Sequence, residues 1–102
     1  MRVIVKMVDQ EPFETDVPNE LKPLQGLVGG HIECVRGVFE NFGLLVDEEG
    51  LIKRKKYNCT FLGKPLFGTI VAIVAVGVKG EDFTDCPILL DTFKGMYHVE
   101  DE

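Results

Sequence analysis

The sequence predicts an α+β fold: a single domain with a mostly antiparallel sheet covered by two helices. Three observations carry this expectation. Thr69 to Val76 is an unbroken run rich in β-branched residues between Gly68 and Gly77, as in a central strand buried on both faces. Leu21, Leu24, Leu27 and Val28 repeat at helical spacing and stop at Gly29-Gly30. The segments run β, α, several β, α, without a repeat or low-complexity tract, an order that lays helices on a sheet of local hairpins.

Taken in order, Val3, Val5 and Met7 alternate with Ile4, Lys6 and Val8, the pattern of an opening strand buried on at least one face. Asp9-Gln10-Glu11-Pro12 is turn chemistry, and Phe13 to Val17 returns as a short edge strand whose charges discourage unwanted pairing. Asn19 suits an N-cap, with Glu20 in the first helical turn. Pro23 disfavours helical geometry at Lys22, so either the first turn is irregular or the helix starts at Pro23. His31 to Phe39 reads as a strand with a bulge at Gly37. Asn41-Phe42-Gly43 turns into Leu44-Leu45-Val46, Asp47-Glu48-Glu49-Gly50 forms a second turn, and Leu51-Ile52 begins the return strand. Gly63-Lys64-Pro65 makes another turn. After Gly80 comes a final helix, capped by Thr84 or Asp85 with Pro87 in its first turn. Leu89, Phe93, Met96 and Tyr97 are its apolar stripe. The domain spans residues 1–99, and 100–102 form an acidic tail.

Composition bounds the function classes. A chain of 102 residues with 45% apolar side chains and seven Phe can build one core, burying roughly 60–65% of its unfolded surface. Acidic residues outnumber basic ones 17 to 11, and four of the eleven sit in Lys53-Arg54-Lys55-Lys56. One such run on an acidic body is a poor footprint for nucleic acid, which needs spread Lys and Arg to neutralise several phosphates. The longest apolar run, Ile70 to Val78, is far below the roughly 20 residues a bilayer requires. Cys34, Cys59 and Cys86 are odd in number and widely spaced, and Met1 to Lys6 is too short an apolar stretch for an export signal. A reducing cytoplasm is the expected compartment.

Leu24-Gln25-Gly26-Leu27-Val28-Gly29-Gly30-His31-Ile32-Glu33, then Val46-Asp47-Glu48-Glu49-Gly50-Leu51, then Asn58, then Phe67-Gly68-Thr69-Ile70 resemble a family of small proteins. Its members are encoded in bacteriophages, plasmids and mainly Gram-positive bacterial genomes, and are known only as a domain of unknown function. The resemblance covers roughly residues 1 to 80. The family often carries Asn where this chain has Asp47, and Tyr or a similar residue where it has His31. The resemblance implies a cytoplasmic protein linked to mobile elements, and no reaction.

Several residues merit weighing as sites. Gly29-Gly30 follows a helix, whereas phosphate cradles precede one, so a structural stop is the better reading, and Gly50 is structural in its turn. Glu33, Asp47, Glu48 and Glu49 could act as paired carboxylates or hold a metal, but spacing alone does not bring them together. Glu33, between Ile32 and Cys34, must face water or find a partner. His31 and Cys34 point to opposite faces of a strand, which excludes a nucleophile–base pair. The cysteines lack a C-x-x-C knuckle, so free structural thiols and no bound zinc are expected. Asn58 reads as a buried amide bonding loop backbone, or else as a ligand contact. Lys53, Arg54, Lys55 and Lys56 read as a solvated face, or as an anion or acidic-partner contact.

The favoured function is an accessory binding protein that contacts a protein or small ligand through Glu33, Asp47, Glu48 and Asn58, with the basic run at the rim. No cofactor, metal, nucleic acid or membrane partner is expected, and the oligomeric state stays open. The rival is a carboxylate- or metal-dependent small hydrolase. A convergent pocket favours the enzyme; an exposed apolar patch or open sheet edge favours the binder.

Overall fold

The computed structural model describes residues 1–36, 42–76 and 82–100. Within them the chain forms β1 (Arg2–Lys6), β2 (Phe13–Asp16), α1 (Leu21–Val28), β3 (Ile32–Arg36), β4 (Phe42–Asp47), β5 (Tyr57–Phe61), β6 (Lys64–Phe67), β7 (Ile70–Val76), β8 (Asp82–Thr84), α2 (Leu90–Lys94) and β9 (Tyr97–His98). Every described strand pair is antiparallel. The larger sheet runs β2-β1-β7-β4-β3, with β8 pairing the far half of β7 beyond the end of β1; the smaller runs β6-β5-β9.

Alternation along the strands builds two cores. Ile70 and Ala72 of β7 join Ile4, Leu44, Phe61 and Phe93 on one side of the larger sheet. Val71, Ile73 and Ala75 join Val3, Val5 and Leu45 on the other, beneath Leu24 and Val28 of α1. Burying each such aliphatic side chain contributes about 1.5–3 kcal/mol. The expected central strand is therefore present, buried on both faces. Cover by two helices holds only in part: sheet dominates, and the second face packs against the smaller sheet, with the five-residue α2 beside it.

Local departures have local causes. Helix α1 begins at Leu21 with Glu20, not Asn19, at the N-cap. The Asn19 side chain donates instead to the Phe83 carbonyl at 2.8 Å. Pro23 is tolerated because first-turn amides have no intrahelical partner to lose. Leu62 and Gly63, at φ 47° and 87°, make the hairpin turn, so Lys64 and Pro65 belong to edge strand β6, where a missing N–H is harmless. Leu51-Ile52 does not start a strand: both lie in turns, 71% and 80% exposed. Phe42 and Gly43 lie within β4 rather than in a turn. Helix α2 is capped at Leu89, because Thr84 ends β8 and the Asp85 carboxylate accepts the Arg2 amide at 2.7 Å. Of its expected stripe, Phe93 is buried, Leu89 is exposed, and Tyr97 belongs to β9. Gly37, Asn41, Gly77, Gly80 and residues 101–102 fall outside the described residues.

Candidate functional site

Asp47 ends β4 on the α1 side of the sheet, in register with Ile32. Residues 48–54 wind through successive turns, with Lys53 N–H donating to the Glu49 carbonyl at 2.8 Å and Lys55 N–H to Gly50 at 2.9 Å. Arg54, at φ 56°, reverses the chain. This path throws alternate residues of the basic run inward. Lys53 and Lys55 reach the same Asp47 Oδ2 at 3.0 and 2.9 Å, while Oδ1 accepts the Glu49 amide at 2.9 Å. The same ammonium groups donate to the last carbonyls of α1, Lys55 to Val28 at 2.5 Å and Lys53 to Gly29 at 3.3 Å. A helix C-terminus carries partial negative charge and orphan carbonyls, so cations belong there. Burial pushes the Asp47 carboxyl up, but Lys55, the Glu49 amide and Lys53 together hold it well below the ordinary carboxylate range. Gly29 supplies the left-handed residue at φ 85°. Gly30 leaves room for the ion pair: a Cβ there would lie 2.5 Å from Lys53 Nζ and 2.7 Å from Asp47 Oδ2.

On the opposite face of β3 and β4, an open groove of about 490 Å³ runs between the β3–β4 hairpin and β6. Glu33 and Val35 form one wall, Lys64 to Phe67 the other, and Glu48, Gly50, Leu51 and Ile52 close one end. A smaller hollow of about 170 Å³ continues it past Arg36 and Leu62. The outer edge of β3 pairs with no described strand. Glu33, Asp47 and Glu48 all line this groove, but the Asp47 carboxylate is turned to the α1 side and taken by its two lysines. The Glu33 and Glu48 side chains are exposed and form no hydrogen bond or ion pair among the described residues.

Asn58 sits elsewhere. Its Nδ2 donates to the carbonyls of Lys6 and Gly68 at 2.8 and 2.7 Å, tying β5 to β1 and to the loop before β7. It lines a separate cavity of about 230 Å³ with Lys6 and Tyr97. Lys6 and the β6 wall of the groove are parts of the two sites that motif reading missed, and Tyr97, read as a helix-stripe residue, lines the cavity from β9. One signal existed for Lys6: it shares the parity of Ile4 in an apolar strand, so its side chain must enter the core layer. Arg54 and Lys56 remain exposed and unpaired among the described residues. The three cysteines are free, and burial raises each thiol, Cys59 to about 11 despite nearby Lys6, so none is poised as a thiolate. Among the described residues no three His, Cys, Asp or Glu gather as a metal site, and no helix is long and apolar enough to cross a membrane.

Fold and site together define a small sheet-dominated α+β domain with an edge-lined groove. Residues 1–98 match the family model described as the domain of unknown function DUF3846, and the chain belongs to that family. The match extends well past residue 80, where the motif resemblance ends. No curated protein and no solved structure matches the chain.

Proposed function

We propose that the chain is an accessory binding module of a phage or other mobile element, working in the cytoplasm, that takes an extended segment of a partner protein into the groove between β3 and β6. The carrying observation is the coincidence of a groove of about 490 Å³ with the unpaired edge of β3. Strand edges bind extended peptides through main-chain hydrogen bonds, while adjoining pockets sort alternate side chains. Val35, Leu66 and Phe67 offer apolar contacts, Leu51 and Ile52 stand exposed at the mouth, and Glu33 and Glu48 suit a basic side chain. Free thiols fit a reducing compartment. Recognition is favoured over hydrolysis by the state of the carboxylates: Asp47 is locked in ion pairs, and among the described residues no hydrogen bond or ion pair orients Glu33 or Glu48 for proton transfer.

The test is selection of peptides from a random display library against immobilised protein, followed by amide NMR. Selected peptides should shift Ile32–Arg36 and Lys64–Phe67 and lose affinity in an Ile52→Glu/Glu33→Arg variant. Shifts confined to β2, or an unaffected variant, would sink the proposal.

A further inference from the structure

Lys6 is 3% exposed, yet no carboxylate comes within ion-pair distance of it among the described residues. Its ammonium donates to the Met7 carbonyl at 2.9 Å and stands 5.6 Å from the Tyr97 ring centre. A buried cation without an anion is expensive, because neither a carbonyl nor a ring replaces the hydration it gave up. Asn58, 2% exposed, lines the same cavity, and its Oδ1 is left without a hydrogen-bond partner. The orientation of this amide is fixed. Nδ2 faces two carbonyls, which accept only from a donor, so the unpartnered atom must be the acceptor oxygen. Asp9 and Glu11 stand exposed at the rim, and Val99 adds an apolar contact.

One cavity is therefore lined by a cation that lacks an anion among the described residues and by an amide whose buried oxygen lacks a donor among them. We propose that it is a binding site for a carboxylate flanked by an N–H donor, as in a free α-amino acid or the C-terminal residue of a peptide. The carboxylate accepts from Lys6 Nζ. The N–H group turns toward the Asp9 and Glu11 carboxylates at the rim, which further favour a free α-ammonium. Tyr97 forms the wall against which the ligand backbone lies. This site shares no residue with the β3–β6 groove and stands independently of it.

The experiment is an amide NMR titration of the full chain with glycine, acetyl-glycyl-alanine and acetyl-glycyl-alanine amide. Saturable shifts at Lys6, Asn58 and Tyr97 are expected with one or both free acids. The amide should bind at least about tenfold more weakly, since it lacks the charge that strengthens the bond to Lys6. Preference between glycine and the acetylated acid distinguishes a free amino acid from a chain terminus. Lys6→Met should abolish the response and Lys6→Arg should retain part of it. Absence of saturable shifts with either acid, an amide that binds as well as the acid, or an undiminished response in a folded Lys6→Met protein would overturn the proposal. Should Lys6→Met fail to fold, the acid-against-amide comparison on the unaltered protein decides alone.

Discussion

Two buried charge clusters on opposite faces of one sheet follow opposite rules. Around Asp47 every charge has a partner: two ammonium groups, an amide and the carbonyls of α1 close on one another. Around Lys6 the accounts stay open: among the described residues the ammonium lacks an anion and the Asn58 oxygen lacks a donor. A satisfied buried network rigidifies and fixes geometry, whereas an unsatisfied one costs stability that a ligand can return. Of the carboxylates that resemble a catalytic cluster in sequence, Asp47 thus fastens the fold, and an inconspicuous strand lysine sits in the less satisfied environment.

The sharpest way to break this contrast is Asp47→Asn. It keeps the shape but leaves two ammonium groups facing each other at a helix end. Breaking a fully buried pair costs about 3–5 kcal/mol. Because Lys53 keeps 39% and Lys55 23% side-chain exposure and both can relax toward water, a loss of about 2–3 kcal/mol is expected by denaturant titration at pH 7. The pH dependence has a definite sign. The Asp47 carboxyl titrates lower in the folded than in the unfolded chain, so its stabilisation is complete above the ordinary carboxylate range. It is lost as pH falls through that range toward the folded value. The gap between native protein and variant should therefore narrow from about pH 5 downward. A gap that stays constant to pH 3 would show that Asp47 is not held as an anion.

Gly29→Val comes next. At φ 85° a β-branched residue is strained, and its Cβ would lie 2.6 Å from Lys55 Nζ, pushing that lysine off Asp47. A loss of about 1–3 kcal/mol in thermal or denaturant unfolding is expected. A variant as stable as the parent would mean that neither the helix stop nor the ion pair constrains this position.

Lys6→Met should behave differently from any change at the Asp47 cluster. It removes an uncompensated buried charge, which stabilises, along with one carbonyl bond and a ring contact, which together offset the gain. The expected change in unfolding free energy is under about 1 kcal/mol in either direction. A larger loss would place Lys6 among the structural ions and erase the distinction between the two faces.

Much of this molecule was legible in the chain because local rules decide it. Alternation in Val3–Lys6 and the β-branched run of β7 specify buried strands, and Gly29-Gly30 stops α1 where periodicity ends. Asn58 likewise bonds backbone carbonyls from a buried position. Long-range competition decided the rest. Asn19 and Asp85 would cap helices in isolation, but Phe83 and Arg2, distant in sequence, claim their side chains. Leu51-Ile52 has strand propensity, yet the turns that carry Lys53 and Lys55 to Asp47 leave no strand for it to join. The groove was invisible for the same reason: its walls come from β3 and β6, which are not hydrogen-bonded to each other.

The smallest expected effect separates the two halves of the basic run. Lys53 and Lys55 are committed to Asp47 and to the end of α1, which leaves only Arg54 and Lys56 as free cations of the four. Arg54→Glu/Lys56→Glu should therefore change stability by less than about 0.5 kcal/mol, as surface substitutions away from special contacts do. Two free charges can displace at most about two counterions from a nucleic acid, against repulsion from a chain of net charge −6. Fluorescence anisotropy with duplex and single-stranded probes should accordingly detect no binding at about 150 mM salt, in the parent or the variant. Lys53→Glu/Lys55→Glu would be a misleading control, because it dismantles the Asp47 cluster and any lost signal would reflect unfolding. Sub-micromolar binding by the parent at that salt, abolished in a folded Arg54→Glu/Lys56→Glu protein, would turn the exposed half of the run into a nucleic-acid contact and replace the peptide groove as the working surface.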